Sequence, residues 1–293
     1  MVAFLFVVNN SSGTNQTTNW NNVINDFFVD KEQSFKIYNL PEGFTITQIK
    51  DHINTYNPKY VIAVGGDGTV TLLANIIANT NIGLGILPAG SANGMAKELG
   101  IPETSAEALK IISAAHTNKC DLIKINGDKY CLHLSDIGLN AHLIKHFDEG
   151  KLRGKLGYAL VILKTLWHKE KMQAIIKTNE KEVRRNAFMV VIANASKYGT
   201  GAVINPEGNL SDGLFEVIIV RKLAIGSLLK MLLKPGIFNP KKIEIIPSTS
   251  VDVTMVSKMH FQIDGEYQGR IKKVTAEICP GILNIIVPIP ASL

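Results

Sequence analysis

The chain has 293 residues, 46% of them hydrophobic and 19% charged, with a formal net charge of +6. This is a globular composition with room for two domains. Its three scattered cysteines form no CxxC pair, which argues against a disulfide framework or a zinc site and suits a reducing cytosol.

The basic balance suits an anionic partner: a nucleotide, a nucleic acid or an anionic lipid surface. The opening "MVAFLFVV" is apolar but short. It lacks a basic leader and a small-residue cleavage site, so it reads as a buried first strand. No apolar run reaches the roughly 18 residues that a membrane span needs. The expectation is a cytoplasmic protein that can touch a membrane peripherally.

In chain order, Ala3–Val8, Ser34–Tyr38, Tyr60–Val64 and Ile82–Leu87 read as strands buried on both faces. Helical spacing lies between and after them. Leu72, Leu73, Ile76 and Ile77 recur in Thr69–Asn79, and Ala108, Leu109, Ile111 and Ile112 in Ser105–Ala115. The alternation predicts a three-layer α/β domain with a mostly parallel sheet over residues 1–119.

From Cys120 onward, short strand-like runs follow one another with turn signals, Asn126-Gly127 among them. Residues 120–293 are expected to form an antiparallel β-sandwich domain, whose last strand could pack back on the first domain. Two amphipathic helical stretches interrupt it, Lys151–Lys171 and Arg221–Lys234. The first carries basic ends beside Leu156, Tyr158, Leu160, Leu163, Leu166 and Trp167. It suits either an anionic surface or ordinary packing on the β domain.

The first chemical signal is "GGDGT", Gly65–Thr69. It follows a buried strand and opens a helix, where free backbone N–H groups and the helix dipole favour anions. Gly65, Gly66 and Gly68 permit close approach of a ligand. Thr69 can cap the helix or meet a phosphate oxygen. Asp67 sits awkwardly among phosphates unless Mg²⁺ stands between them. The pattern is neither Walker A nor GxGxxG, and a plain strand–helix turn remains the alternative.

A second loop, "ILPAGSANGMA", repeats the design. Gly90 lies in its turn, and Ser91 and Asn93 are short polar groups at a helix start, suited to capping or phosphate contact. Ligands of parallel sheets bind beyond the carboxyl ends of strands, so successive loops of this kind share a crevice. Asn9 opens a third polar loop, "NNSSG", directly after the first strand.

In the second domain, Asp264-Gly265-Glu266 admits two readings. Asp-Gly is a strong hairpin turn signal. If the chain is extended instead, both carboxylates share one face. A carboxylate can accept the proton of an attacking hydroxyl, best with its pKa raised by a close second carboxylate.

"GGDGT" followed by "LPAGSANGMA" resembles the catalytic domain of the diacylglycerol kinase, sphingosine kinase and bacterial lipid kinase family. "VIANASKYGTGAVINPEGNLSDGLFEV", "FQIDGEYQG" and "CPGILNIIVP" continue the resemblance, in order, to the end of the chain. The fold it implies is an NAD kinase/phosphofructokinase-like first domain. The activity it implies is ATP-dependent phosphorylation of a diacylglycerol-like or sphingosine-like hydroxyl with Mg²⁺. Glu266 is then the base, with Asp264 beside it. Asp67 organises Mg²⁺, and the loops at Asn9, Gly65–Thr69 and Gly90–Asn93 hold ATP. Asp212, with Asn209 and Leu214 backbone oxygens, resembles a structural or regulatory magnesium segment. The plain alternative is a Ser-Asp-Gly turn.

The implied partners are ATP, a lipid alcohol and an anionic membrane, with a homodimer admitted. No basic–aromatic motif supports nucleic-acid binding. This sequence departs from the family pattern at Ser91 (usually threonine), Gly94 (usually aspartate) and Asn10 (usually proline), and "NNSSGTNQTTN" carries no Lys or Arg. Two rivals follow: a soluble-substrate kinase such as an NAD kinase, and a non-catalytic nucleotide- or lipid-binding regulator.

Overall fold

The computed structural model describes residues 3–10, 18–138, 141, 171–197, 203–222 and 243–290. The chain divides into two units. One holds the described residues up to Asp121 together with Pro280 onward, and the other is built from residues between Leu122 and Cys279.

In the first unit, strands β1 (Phe4–Val8), β2 (Phe35–Asn39), β3 (Tyr60–Gly65) and β4 (Gly83–Pro88) alternate with helices. The helices are α1 (Trp20–Phe28), α2 (Ile46–Tyr56), α3 (Asp67–Ile77), α4 (Gly94–Glu98) and α5 (Ser105–Ala114). All strand pairs are parallel, in the order β2-β1-β3-β4. The end of β14 (Glu266–Ile286) adds a fifth parallel strand, with Asn284 and Ile285 alongside Gly83 and Leu84.

β1 and β4 are buried along their whole length, as continuous apolar runs in a parallel sheet must be. β2 differs from the expectation of two buried faces. Among the described residues it pairs only with β1, so it is an edge strand there, and Lys36 and Asn39 are exposed. Local chemistry starts the helices. Thr45 and Gln48 form a reciprocal capping box on α2, and Asn19 accepts from Asn22 N at the start of α1.

The chain crosses to opposite sides of β1, since β2 and β3 both pair with it. The carboxyl ends of β1 and β3 therefore form a topological switch point, the place where open α/β sheets bind ligands.

The second unit is a β-sandwich. β5 (Thr117–Ile125) enters it and pairs with β6 (Lys129–Cys131) across a turn in which Asn126 (φ 51°) and Gly127 (φ 84°) are left-handed. β7 (Leu134–Gly138), β8 (Met172–Thr178), β9 (Glu182–Ala187), β10 (Met189–Ala193), β11 (Phe215–Val220), β12 (Ile243–Ser248) and β13 (Ser250–Ile263) follow.

Their pairings are antiparallel. β13 pairs with β8 over Val251–Met255 and with β7 over Phe261–Ile263. Bulges after Thr254 and after His260 lie between, and such bends let one strand serve two sheets. β10 and β11 feed two cores by alternation. Val190, Ile192, Val217 and Ile219 enter the larger one, and Val191, Ala193 and Ile218 the smaller.

Lys151–Lys171, apart from Lys171 itself, and Arg221–Lys234 beyond Lys222 lie outside the described residues. Among the described residues, no helix is long and apolar enough to cross a membrane.

Candidate active site

Three loops meet at the switch point of the first unit. Asn9, directly after β1, has its backbone N–H on Val64 O at 2.9 Å, and its side-chain amide donates to Thr69 Oγ1 at 3.0 Å. Thr69 is 3% exposed, so its hydroxyl ties the first loop to the second from inside. The second and third loops touch backbone to backbone. Ala89 N–H donates to Gly65 O at 3.0 Å. A Cβ placed on Gly90 would lie 2.4 Å from Gly66 Cα, so Gly90 needs to be glycine for the loops to approach, and a Cβ on Gly66 would sit tightly at 3.3 Å from Gly90 Cα.

Asp67 answers its own puzzle. Its Oδ2 accepts from Gly94 N at 2.9 Å and its Oδ1 from Met95 N at 3.0 Å. The carboxylate thus caps α4 from another helix, on the free donors of the first turn. Asn93 is suited by sequence either to capping α4 or to phosphate contact. It stands at the N-cap position with φ 50° and makes no side-chain capping bond. Its amide instead brackets Gly90, accepting from Gly90 N and donating to Gly90 O, both at 2.9 Å. Gly94 is buried and supplies one of the N–H groups on Asp67. Ser91 is exposed at the loop tip. Gly66 stands at the N-cap of α3 and makes no side-chain capping bond.

In the second unit the Asp-Gly hairpin is formed. Asp264 (φ 48°) and Gly265 (φ 87°) are both left-handed, and Ile263 pairs with Glu266 across them. This corrects the extended alternative: Asp264 and Glu266 do not sit side by side on one strand face. Asp264 Oδ2 accepts from Leu132 N at 2.8 Å. Its Oδ1 accepts from His133 N at 2.9 Å, Leu134 N at 3.0 Å and the Cys131 thiol at 3.2 Å. The carboxylate clasps the turn between β6 and β7. Burial pushes the Cys131 thiol well up, and the Asp264 charge adds to it, so the sulfur stays a donor. Glu266 is exposed at the start of β14.

The segment at 209–214 is a pair of side-chain turns. Asn209 Oδ1 accepts from Ser211 N and Oγ, both at 3.1 Å, and Asp212 Oδ1 accepts from Leu214 N at 3.0 Å. Beneath it lies Glu216, 4% exposed and bonded by Asn205 Nδ2. Burial pushes the Glu216 carboxyl above its usual range. Asn205 pulls it down, and Asp212 and Glu207 push it up again. A divalent cation on Asp212 would relieve that crowding, so the residues fit one. The described residues contain no group of three or more His, Cys, Asp or Glu side chains able to cage a metal. Such a site would be one carboxylate with backbone oxygens and waters, a donor set that Mg²⁺ accepts.

Several polar residues escaped sequence reading. Asp121 (3% exposed) accepts from Gly281 N at 2.7 Å. Asp136, fully buried, bonds Gln262 and Ala141 N. His133 is 8% exposed, and its Nε2 has no hydrogen-bond partner among the described residues. None carries a glycine-rich or motif signal. Only an isolated polar residue within a strand-like run, as at Asp136, hinted at them.

The comparisons agree with this architecture. Residues 3–125 match the diacylglycerol kinase catalytic domain, and residues 135–287 match the YegS C-terminal NAD kinase beta sandwich-like domain. The "probable lipid kinase YegS" of Escherichia coli O1:K1 / APEC is 30% identical over 213 residues, 70% of this chain and 71% of that one. A "probable lipid kinase YegS-like" protein of Chromohalobacter salexigens is 29% identical over 238 residues, 78% of this chain and 76% of that one. The fold is that of a diacylglycerol kinase structure from Bacillus anthracis str. Sterne, with a TM-score of 0.75 at 20% identity, covering 99% of this chain and 98% of that one. The chain belongs to the YegS branch of the diacylglycerol kinase catalytic-domain family, and it is a kinase by that membership.

Proposed function

We propose that the protein transfers the γ-phosphoryl group of ATP to the hydroxyl of a diacylglycerol-like or sphingosine-like lipid. The observation that carries this is the welding of the Asn9, Gly65–Thr69 and Gly90–Asn93 loops at the switch point of the parallel sheet, through Thr69, the Gly66–Gly90 contact and Asp67. The first turn of α3 receives phosphate oxygens on its backbone N–H groups. The loop after β1 lacks Lys and Arg, so the helix terminus carries more of the anion binding than a lysine would. When bound with ATP, Mg²⁺ neutralises phosphate charge that this chain's loops do not.

Asp67 acts first as the clamp that sets the spacing of the two phosphate loops. The lone pairs left over from those two bonds are the ones that would face Mg²⁺. Glu266, exposed and unclasped by the β6–β7 turn, orients the acceptor hydroxyl and takes its proton. Asp264 holds the hairpin that presents it. Asn209, Asp212 and Leu214 are the residues that would hold a second, structural Mg²⁺. Contact with anionic membrane is the expected way to reach the substrate.

The test is direct. Purified protein, radiolabelled ATP and Mg²⁺ are incubated with a panel of diacylglycerol, monoacylglycerol, phosphatidylglycerol, sphingosine and ceramide, with NAD as the soluble alternative. Label in a lipid is expected. Label in NAD alone would reassign the substrate, and nucleotide binding without transfer would make the protein a regulator.

A further inference from the structure

A line of buried hydrogen bonds runs through the second unit to the Asp264–Glu266 turn. Gln262 in β13 lies opposite Asp136 in β7, and both are fully buried. The Gln262 amide Nε2 donates to Asp136 Oδ2. Its Oε1 accepts from the backbone N–H of Gly265 at 2.7 Å. The other Asp136 oxygen accepts from Ala141 N at 2.9 Å. The main chain is pinned as well, since the Ser135 hydroxyl donates to Gln262 O at 2.7 Å.

These partners leave the amide one workable orientation. A carboxylate oxygen only accepts and the Gly265 N–H only donates, so the NH₂ must face Asp136 and the oxygen must face the turn. A flipped amide would lose both bonds and set like dipoles against each other. Two apolar residues would pack this position more simply, because burying a carboxylate and an amide is costly unless every group is satisfied. What the pair adds is a fixed point on Gly265, the residue between the Asp264 clasp and Glu266.

We propose that Gln262 is a positioning residue for Glu266, and that Asp136 sets the amide so that it can do this work. The proposal rests on the reading of Glu266 as the group that handles the acceptor hydroxyl. Asp264 ties the turn to the β6–β7 loop from one side. Gln262 ties the next residue from the other, so the direction in which Glu266 leaves the turn is determined twice.

Two variants test it against wild type. Gln262→Leu keeps the volume and removes both bonds. Gln262→Glu keeps the shape but sets one carboxyl against another; when protonated it donates to Asp136 and accepts from Gly265, as the glutamine does. Burial and the neighbouring Asp136 carboxyl both favour the protonated form of that new side chain, so acidification is the direction that restores the donor. Gln262→Leu is expected to lose about 10²-fold in kcat, the effect of misplacing a reacting group by about 1 Å, with KM for ATP unchanged. Gln262→Glu is expected to match that loss at about pH 8 and to regain activity relative to wild type at about pH 6.

A Gln262→Glu to wild-type ratio that is equal at both pH values would overturn the proposal. So would a Gln262→Leu variant with wild-type kcat. If Gln262→Leu does not fold, the Gln262→Glu pH profile decides alone. If wild type phosphorylates no lipid, the functional reading fails separately, and hydrogen exchange still tests the relay. The Gln262→Glu variant is then expected to lose protection at Gly265 at about pH 8 and recover it at about pH 6 after correction for intrinsic rates. Equal protection at both would sink it.

Discussion

Asp67 and Gly94 lie 27 positions apart, and the Asp67 carboxylate accepts the Gly94 N–H at 2.9 Å while its second oxygen takes the neighbouring Met95 N–H. One side chain thereby fixes α4 relative to the start of α3. A bond from an ionised acceptor to a backbone N–H contributes roughly 1.5–3 kcal/mol. Asp67→Ala leaves two helix-terminal donors without their partner. It should lower Tm and raise KM for ATP by at least about tenfold, the equivalent of about 1.4 kcal/mol. Asp67→Asn should fall between, because an amide offers one acceptor oxygen where the carboxylate offers two. Added Mg²⁺ separates this clamp from a metal ligand. Kinetics of Asp67→Asn at rising Mg²⁺ should show no rescue, and a full rescue would return Asp67 to the metal.

The Gly66–Gly90 contact makes a sharper steric prediction. A methyl on Gly90 meets the Gly66 backbone at 2.4 Å, which cannot swing away as a side chain could, and Asn93 Oδ1 at 2.9 Å. Gly90→Ala should cost about 1–3 kcal/mol of stability, as overpacking does, and should push the two glycine-rich loops apart. Nucleotide titration calorimetry and a thermal melt read both effects. Gly43→Ala is the control: its left-handed φ of 69° brings strain, but nothing lies within 4 Å of the new Cβ. It should lower Tm slightly and leave ATP binding alone.

Asp264 and Glu266 flank Gly265 in the motif and are opposite in consequence. Asp264 accepts three backbone N–H bonds and a thiol bond, whereas Glu266 is exposed. Asp264→Ala should destabilise by about 2–4 kcal/mol, because buried donors of the β6–β7 turn lose their acceptor. Glu266→Gln should change stability by less than about 0.5 kcal/mol, as surface substitutions do. Its kcat should nevertheless fall by about 10²–10⁴-fold, the usual contribution of a general base. Urea melts and steady-state kinetics on the same two preparations suffice. A Glu266→Gln enzyme with wild-type kcat would remove the base from this residue.

The parallel strands and the two glycine-rich loops are legible in the sequence because each rests on local pattern: an apolar run, small residues, then helical spacing. "GGDGT" and "LPAGSANGMA" both stand where β3 and β4 end. The purpose of Asp67 is not legible, since its partners lie in the next loop and depend on how two helix starts face each other. The same holds for Asp264. Its turn is written in Asp-Gly, but its clasp on residues 132–134 joins segments 130 or more positions apart. β2 reads as fully buried because "SFKIY" is apolar enough, and only the sheet order makes it an edge. Gln262 and Asp136 carry no pattern. Their meaning comes from register, which places them opposite each other.

Two buried or partly buried glutamates should titrate in opposite senses. The Glu216 carboxyl is raised above its ordinary 4.5, first by burial, so the folded state holds that proton more tightly than the unfolded chain. Its contribution to stability is fully present below the unfolded value and is lost as pH rises through the folded one. Glu244 is the reverse. The Arg185 hydrogen bonds, at 2.7 and 3.0 Å, hold it below 4.5, so its contribution is present above that value and disappears as pH falls through the lowered one. Glu216→Gln, which keeps an acceptor for Asn205, should therefore melt above wild type at neutral pH, with the gap closing on acidification. Glu244→Gln should melt below wild type at neutral pH, and its gap should also close in acid. Saturating Mg²⁺ at neutral pH should narrow the Glu216→Gln gap from the wild-type side, because a cation on Asp212 offsets the same carboxylate crowding. A Glu216→Gln protein less stable than wild type at every pH would mean that the Asn205 bond outweighs the burial penalty.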